Sequence, residues 1–312
     1  MKNFIFYTSA LAAMLFAASC QKENLNLISE GDATVTFTLE VPGAVGTKAM
    51  SQAESTNIVY FEIWDKDWKR QLYPVEADGL VSEKVDAKKA TINLKLVSDQ
   101  TYNFIFWAQN DSHKAYDVKD LKNVKVDYKV IGANGNEDIF DAFYAVKTIK
   151  VQGPINQTIT LTRPFAQLNF GADNMVTTFG EITVGNTSVK VSELATVFNP
   201  ISGLADLTTT LKDVEFKAKG CATEESEPLV VKEKNYRWIA MDYMLPTGTN
   251  VVVNAEFAID GMLDPVTHTI SEVPLQHNFR TNIIGDLFTT GAVLQIEVDE
   301  RFDPNDIVCG VK

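Results

Sequence analysis

The sequence predicts an all-β fold, and three features of the chain carry that expectation. Apolar and polar residues alternate over short segments rich in Val, Ile, Thr, Phe and Tyr. Turn-forming pairs, among them Asp78-Gly79, Asn134-Gly135, Gly153-Pro154, Thr247-Gly248 and Asp260-Gly261, fall between these segments. Helical spacing is confined to two short stretches, Val191–Phe198 and His113–Asn123. Period-two alternation sends every second side chain to one face of a strand, and Gly, Pro, Asn and Asp supply the backbone conformations that reverse it.

Composition narrows the class. The chain has 312 residues, 28 Lys+Arg against 41 Asp+Glu, and a formal charge of −13. Its 45% hydrophobic content is enough for a packed core and its length suits about two domains. An acidic balance with no Lys/Arg block argues against a nucleic-acid partner, because phosphate backbones need a basic face. Three Cys and three His exclude zinc fingers, iron–sulfur clusters and a disulfide-dense scaffold. Beyond the N-terminus no apolar run approaches the ~20 residues of a spanning helix.

The N-terminus reads as an address. Lys2 supplies a positive charge, Phe4 to Ser19 has none, and Ala17-Ala18-Ser19 stands directly before Cys20. A short apolar region followed by small residues and a Cys is similar to a bacterial lipobox, in which the Cys is acylated and becomes the mature N-terminus. Residues 1–19 are thus expected to be a lipoprotein signal peptide, Cys20 the lipidation site, and residues 20–32 a polar tether to the outer membrane.

Strands follow in order. In Ala33–Val41 the apolar Val35, Phe37, Leu39 and Val41 alternate with Thr34, Thr36, Thr38 and Glu40, and Pro42-Gly43 stops the run. Ile58–Trp64, Ala90–Leu96, Tyr102–Ala108, Ala142–Lys150 and Thr158–Thr162 read the same way, as do Ala166–Phe170, Glu181–Val184, Leu211–Lys217, Arg237–Met244, Asn250–Ile259 and Val293–Val298. Val191–Phe198 is expected to be a short helix capped by Ser192 and ended by Asn199-Pro200, and His113–Asn123 to hold a helical turn or two. Many short strands with regular turns indicate β-sandwiches or barrels, with two packed sheets per half. A boundary near Thr160 divides the chain into 33–160 and 161–312.

An ordered set of stretches resembles the fimbrillin family, the lipoprotein-derived subunits of type V pili. These are the lipobox-like start, the strand Ala33–Val41, the loop Gly46-Thr47-Lys48-Ala49, the run Arg163-Pro164-Phe165-Ala166-Gln167-Leu168-Asn169-Phe170, and Val273-Pro274-Leu275-Gln276-His277-Asn278-Phe279-Arg280-Thr281-Asn282-Ile283-Ile284-Gly285. The resemblance implies two transthyretin-like β-sandwich domains in tandem. It implies export as a surface lipoprotein, proteolytic removal of the first strand, and filling of the vacated groove by a strand of another fimbrial subunit. Carried onto this chain, the removable strand presents Val35, Phe37, Leu39 and Val41. The donor candidate presents Leu294, Ile296 and Val298, with Phe302, Ile307 and Val308 beyond. Lys48 is the cleavage candidate and would leave Ala49 as the new N-terminus. Here the chain departs from the family, whose maturation is associated with an arginine-specific cut: the first Arg is Arg70, beyond the second strand. Either a protease accepting Lys acts, or the subunit stays uncut and keeps its lipid.

No pattern points to catalysis, a cofactor or a metal. His113, His268 and His277 have no partner at a metal or catalytic spacing, and no Gly-x-Ser-x-Gly elbow or phosphate-cradling glycine motif occurs. The acidic groups Asn136-Glu137-Asp138 with Asp141, and Asp299-Glu300 with Asp303 and Asp306, lack the EF-hand pattern and read as solvated loops. Export would permit a Cys221–Cys309 disulfide, whose geometry the sequence does not set. Trp68, in the charged turn Asp65–Arg70, is the best candidate for an exposed aromatic. The expected role is a structural or adhesive subunit of a cell-surface fimbria; the alternative is a monomeric surface lipoprotein that binds a glycan or host ligand.

Overall fold

The structure is a computed structural model that describes residues 32–42, 55–74, 80–173, 175–177 and 180–299. The first half contains β1 (Ala33–Glu40), β2 (Ile58–Asp65), β3 (Gln71–Tyr73), β4 (Ser82–Lys84), β5 (Lys89–Leu96), β6 (Thr101–Gln109), β7 (Tyr116–Asp117), β8 (Val124–Val126), the short helix α1 (Tyr128–Gly132), β9 (Phe143–Lys150) and β10 (Ile155–Thr160). The second contains β11 (Ala166–Ala172), β12 (Val176–Thr177), β13 (Gly180–Glu181), β14 (Val184–Ala195), β15 (Val197–Asn199), β16 (Leu204–Ala205), β17 (Thr210–Lys219), β18 (Leu229–Val231), β19 (Lys234–Met244), β20 (Val251–Ile259), β21 (Val266–Val273), β22 (Arg280–Gly285) and β23 (Gln295–Val298). The expected all-β class is what the chain adopts.

Each half places two sheets face to face. In the first, β10-β1-β5 lies on β3-β2-β6-β9, with β4 beside β2. Val35, Phe37, Leu39, Ile92 and Leu94 meet Phe61, Phe104 and Phe106 in one buried cluster. In the second, β18-β19-β11-β22-β23 lies on β17-β14-β20-β21. Phe170 and Phe257 bridge these sheets with ring centroids 5.4 Å apart.

Strand β6 explains why the halves touch. Phe104, Phe106 and Ala108 enter the first cluster, whereas Ile105 and Trp107 enter the second. A strand buried on both faces reads as a continuous apolar run, and Phe104-Ile105-Phe106-Trp107-Ala108 is such a run. The β6–β9 connection folds over the second face, and its β7 and β8 join β15 and β16 in a small sheet built from both halves.

Three expectations need correction. Val191–Phe198 is not a helix; it is the end of β14 and the start of β15. Val189 and Val191 point inward opposite Phe216 and Val214, and β-branched residues gain more from that packing than from a helical turn. Ser192 caps nothing there, since its hydroxyl accepts the Val252 N–H at 3.0 Å. His113–Asn123 holds bends and β7; the helix begins at Tyr128, where the Asp127 carboxylate accepts the Lys129 N–H at 2.9 Å. Finally, Glu181–Val184 divides between β13 and β14.

Candidate assembly surface

The first strand is the centre of its sheet. β1 pairs antiparallel with β5, from Ala33 opposite Leu96 to Glu40 opposite Lys89. On its other side it runs parallel to β10, from Val35 opposite Ile155 to Glu40 opposite Thr160. Val35, Phe37 and Leu39 have no solvent exposure. The Phe37 ring meets Phe104 and Phe106 edge-on, with centroids 4.9 and 5.6 Å away. The opposite face is polar: the Thr36 hydroxyl donates to the Asn93 amide oxygen at 2.9 Å, and Glu40 pairs with Lys89 at 2.7 Å on the surface.

Both ends of β1 are fastened. The Asp32 carboxylate accepts the Ser98 N–H at 2.8 Å, and the hydrogen bonding from Ser98 holds its pKa below the usual carboxylate value. At the other end the Val41 N–H donates to the Lys88 carbonyl and the Leu161 N–H to that of Glu40. Burial of Val35, Phe37 and Leu39 alone is worth roughly 5–9 kcal/mol gross. Loss of β1 would open a slot lined by Phe104, Phe106, Ile92 and Leu94, with unpaired backbone on β5 and β10.

The donor candidate is shorter than Val293–Val298: β23 begins at Gln295, with Leu294 just before it. It lies at the edge of its sheet, antiparallel to β22, with Ile296 opposite Ile283 and Val298 opposite Thr281. Ile296 and Leu294 are half-buried and Val298 is exposed. Both strands of interest are therefore paired within the chain. Cys20, Lys48, Ala49, Phe302, Ile307, Val308 and Cys309 lie outside the described residues.

The remaining candidates fall into structural roles. Asp141, read from sequence as part of a solvated acidic loop, is buried and accepts Arg163 through both carboxylate oxygens, at 2.6 Å from Nε and 2.5 Å from Nη2. Burial raises the pKa of the Asp141 carboxyl to about 6, against the opposing pull of the Arg163 guanidinium. The neighbouring Asp138 accepts the Tyr243 hydroxyl at 2.7 Å. Arg163, quoted above as part of a motif, is thus the cation that this loop closes upon. Among the described residues no group of three or more His, Cys, Asp or Glu is placed to hold a metal ion.

The three histidines stand apart in packing roles. A ring nitrogen of His113 lies 2.9 Å from the Ile139 carbonyl, one of His268 lies 2.8 Å from that of Leu287, and one of His277 contacts that of Pro164. Burial lowers the pKa of His113 and of His277. Trp68 is half-buried, not freely exposed as expected. The Lys122 ammonium stands 3.3 Å above the Trp64 ring centre and 5.9 Å from that of Trp68, and donates to the Trp68 carbonyl at 2.7 Å. The cation therefore sits on the Trp64 face and ties the Trp68 turn to it through the carbonyl. Among the described residues no helix is long and apolar enough to cross a membrane.

Comparison with known proteins completes the description. A family model described as a family of unknown function, DUF6562, matches residues 28–309. No curated protein matches the chain. Among solved structures it is similar to a protein of Bacteroides uniformis ATCC 8492 assigned to cell adhesion, at 12% identity over 87% of this chain and 99% of that one, with a TM-score of 0.49. It is similar to a fimbrial assembly protein of Parabacteroides distasonis ATCC 8503, at 11% identity over 85% and 98%, with a TM-score of 0.42. A third, from Bacteroides thetaiotaomicron VPI-5482 and assigned to polysaccharide binding, has 12% identity over 88% and 99% and a TM-score of 0.47.

Proposed function

We propose, for a chain that belongs to the DUF6562 family of unknown function, that it is a structural or adhesive subunit of a cell-surface fimbria whose copies assemble by exchanging strands. The observation that carries this reading is the seat of β1. It is a central strand, wholly buried on one face, and the first strand among the described residues. A cut after Lys48 would separate β1 from everything that follows it except through the pairing itself. The slot so exposed would bind a replacement strand by main-chain hydrogen bonds and apolar anchors, the physics of β-augmentation.

In this reading Cys20 carries the lipid that holds the subunit at the outer membrane until the cut. Residues 33–160 and 161–312 form two sandwiches, the first with the acceptor slot and the second with the donor β23 and its Leu294, Ile296 and Val298. The protein performs no reaction.

The mature N-terminus of native surface material tests the proposal. A chain beginning at Ala49, migrating as a ladder on size exclusion, is the expected result. A cut chain that stays monomeric and retains β1 would remove the basis for strand exchange.

A further inference from the structure

We propose a second acceptor for β23 of another copy: the outer edge of β10, used while β1 stays in place. This goes beyond the reading above, because it requires neither cleavage nor an emptied slot.

The inference starts from a repeat in the topology. Each half has a first strand that lies between a parallel strand from late in that half and an antiparallel one from earlier in it. β1 runs parallel to β10 and antiparallel to β5, and β11 runs parallel to β22 and antiparallel to β19. Core-facing residues match as well: Ala33, Val35 and Phe37 in β1 stand where Ala166, Leu168 and Phe170 stand in β11. The registers then equate Ile155 with Thr281, Asn156 with Asn282, Gln157 with Ile283 and Thr158 with Ile284.

Among the described residues the two sheets differ at both ends, since β18 flanks β19 and β23 flanks β22 with no equivalent beside β5 or β10. Outside β22 lies β23, and Ile283 beneath it has no exposure. Outside β10 no strand pairs among the described residues, and its core-facing Ile155 and Ile159 are only half-buried. Two other sheet edges, those of β5 and β17, are better covered. The core-facing residues of β5 are at most 3% exposed. The edge of β17 is met by α1 and the turn after it, where the Gly135 N–H donates to the Lys217 carbonyl. At Gly132 a Cβ would lie 2.2 Å from the Glu215 carbonyl oxygen, so only glycine permits that approach.

Backbone direction fixes which edge of β23 can serve. The Leu161 N–H points to β1, so Ile159, Gln157 and Ile155 also point to β1, while Asn156, Thr158 and Thr160 point outward. In the second half Gln167 donates to Phe279, so Arg280, Asn282 and Ile284 point outward, and the Asp299 N–H meets the Arg280 carbonyl. The outward residues are thus equivalent in β10 and β22. A strand that satisfies them while keeping its apolar face on the core must present the edge that β23 now turns to β22. Pairing through the opposite edge of β23 would turn its apolar face to solvent. The partner is therefore a β23 released from its own β22, antiparallel to β10, with Gln295 opposite Thr158, Ile296 opposite Gln157, Glu297 opposite Asn156 and Val298 opposite Ile155. Leu294 then falls beside Ile159.

Release is feasible because β23 is short and rimmed by solvent. Leu287 and Phe288 anchor the chain in the core, while Thr289, Thr290, Gly291 and Val293 are exposed and Gly291 sits at a φ of +76°. Residues 289–294 can span about 20 Å when extended. The exchange replaces the β22–β23 ladder by a β10–β23 ladder of the same register and leaves the β22 edge open. Acceptor and donor lie on different halves, so the contact is head-to-tail and propagates from copy to copy as a ring or an open filament.

Photo-cross-linking distinguishes the two acceptors. Benzoylphenylalanine is placed at Gln295 in the purified full chain, mixed with a ¹⁵N-labelled copy, and links are mapped while amide exchange is followed over residues 33–40. The expected result is links between copies onto residues 155–160 with residues 33–40 still protected. Links that appear only as residues 33–40 lose protection would overturn this inference and leave displacement of β1 standing. An absence of links between copies of this uncut chain would overturn this inference and leave exchange after a cut at Lys48 standing. Ile159→Lys, a half-buried site where the ammonium can reach solvent past the open edge, should lower the link yield about tenfold or more with unchanged circular dichroism. An unchanged yield would also count against the β10 edge.

Discussion

Asp242 shows how burial changes what a carboxylate does. It is fully enclosed, with the Asn136 N–H at 3.4 Å, and burial holds its pKa well above the usual carboxylate value. The folded chain therefore keeps a proton that the unfolded chain releases near pH ~3.9. The associated stability is complete below that value and is lost as pH rises toward the folded pKa. Asp242→Asn removes this titration and keeps the shape. The variant should gain on the parent between about pH 4 and about pH 7, by at most ~1.4 kcal/mol per unit. Urea denaturation across that range checks it; a difference independent of pH would mean that the buried carboxylate is ionised. Sequence gave no sign of this group, because Asp242 falls within the apolar strand Lys234–Met244 and its enclosure comes from Asn136, over 100 residues away. The same applies to Asp141 and Arg163, whose pairing turns a stretch read as solvated loop into a buried lock.

Among the elements, β1 is the one whose energetics were readable before its neighbours were known. Alternation of Val35, Phe37 and Leu39 with threonines set which face would be buried, and the structure buries that face fully. Phe37→Ala should cost about 3–5 kcal/mol, since its ring fills the space against Phe104 and Phe106. Thr34→Ala, on the exposed face, should change stability by less than about 0.5 kcal/mol. Chemical denaturation of both variants tests whether the strand is anchored from one side; equal losses would deny it. β14 is the counterexample. Its alternation is interrupted between Val184 and Thr187, where the pairing with β20 shifts register. With Asn199-Pro200 following, its C-terminal part read as a helix.

Across the whole molecule, the shared strand β6 ties the two cores into one unit. Its successive residues Phe104 to Ala108 alternate between the first cluster and the second. Unfolding should therefore be a single transition, with tryptophan fluorescence and far-ultraviolet circular dichroism coincident. Phe106→Ala and Phe170→Ala, in different clusters, should shift that same transition; two resolved transitions would show that the halves unfold separately. Strand positions and buried faces could be derived from the residue order because alternation is a local property: each side chain's face follows from its neighbours two places away. Pairing partners, the parallel seat of β1 beside β10, the edge of β10 left without a paired strand among the described residues, and the enclosure of Asp141 and Asp242 could not. They depend on segments distant in the chain, which only the packing of sheet on sheet brings together.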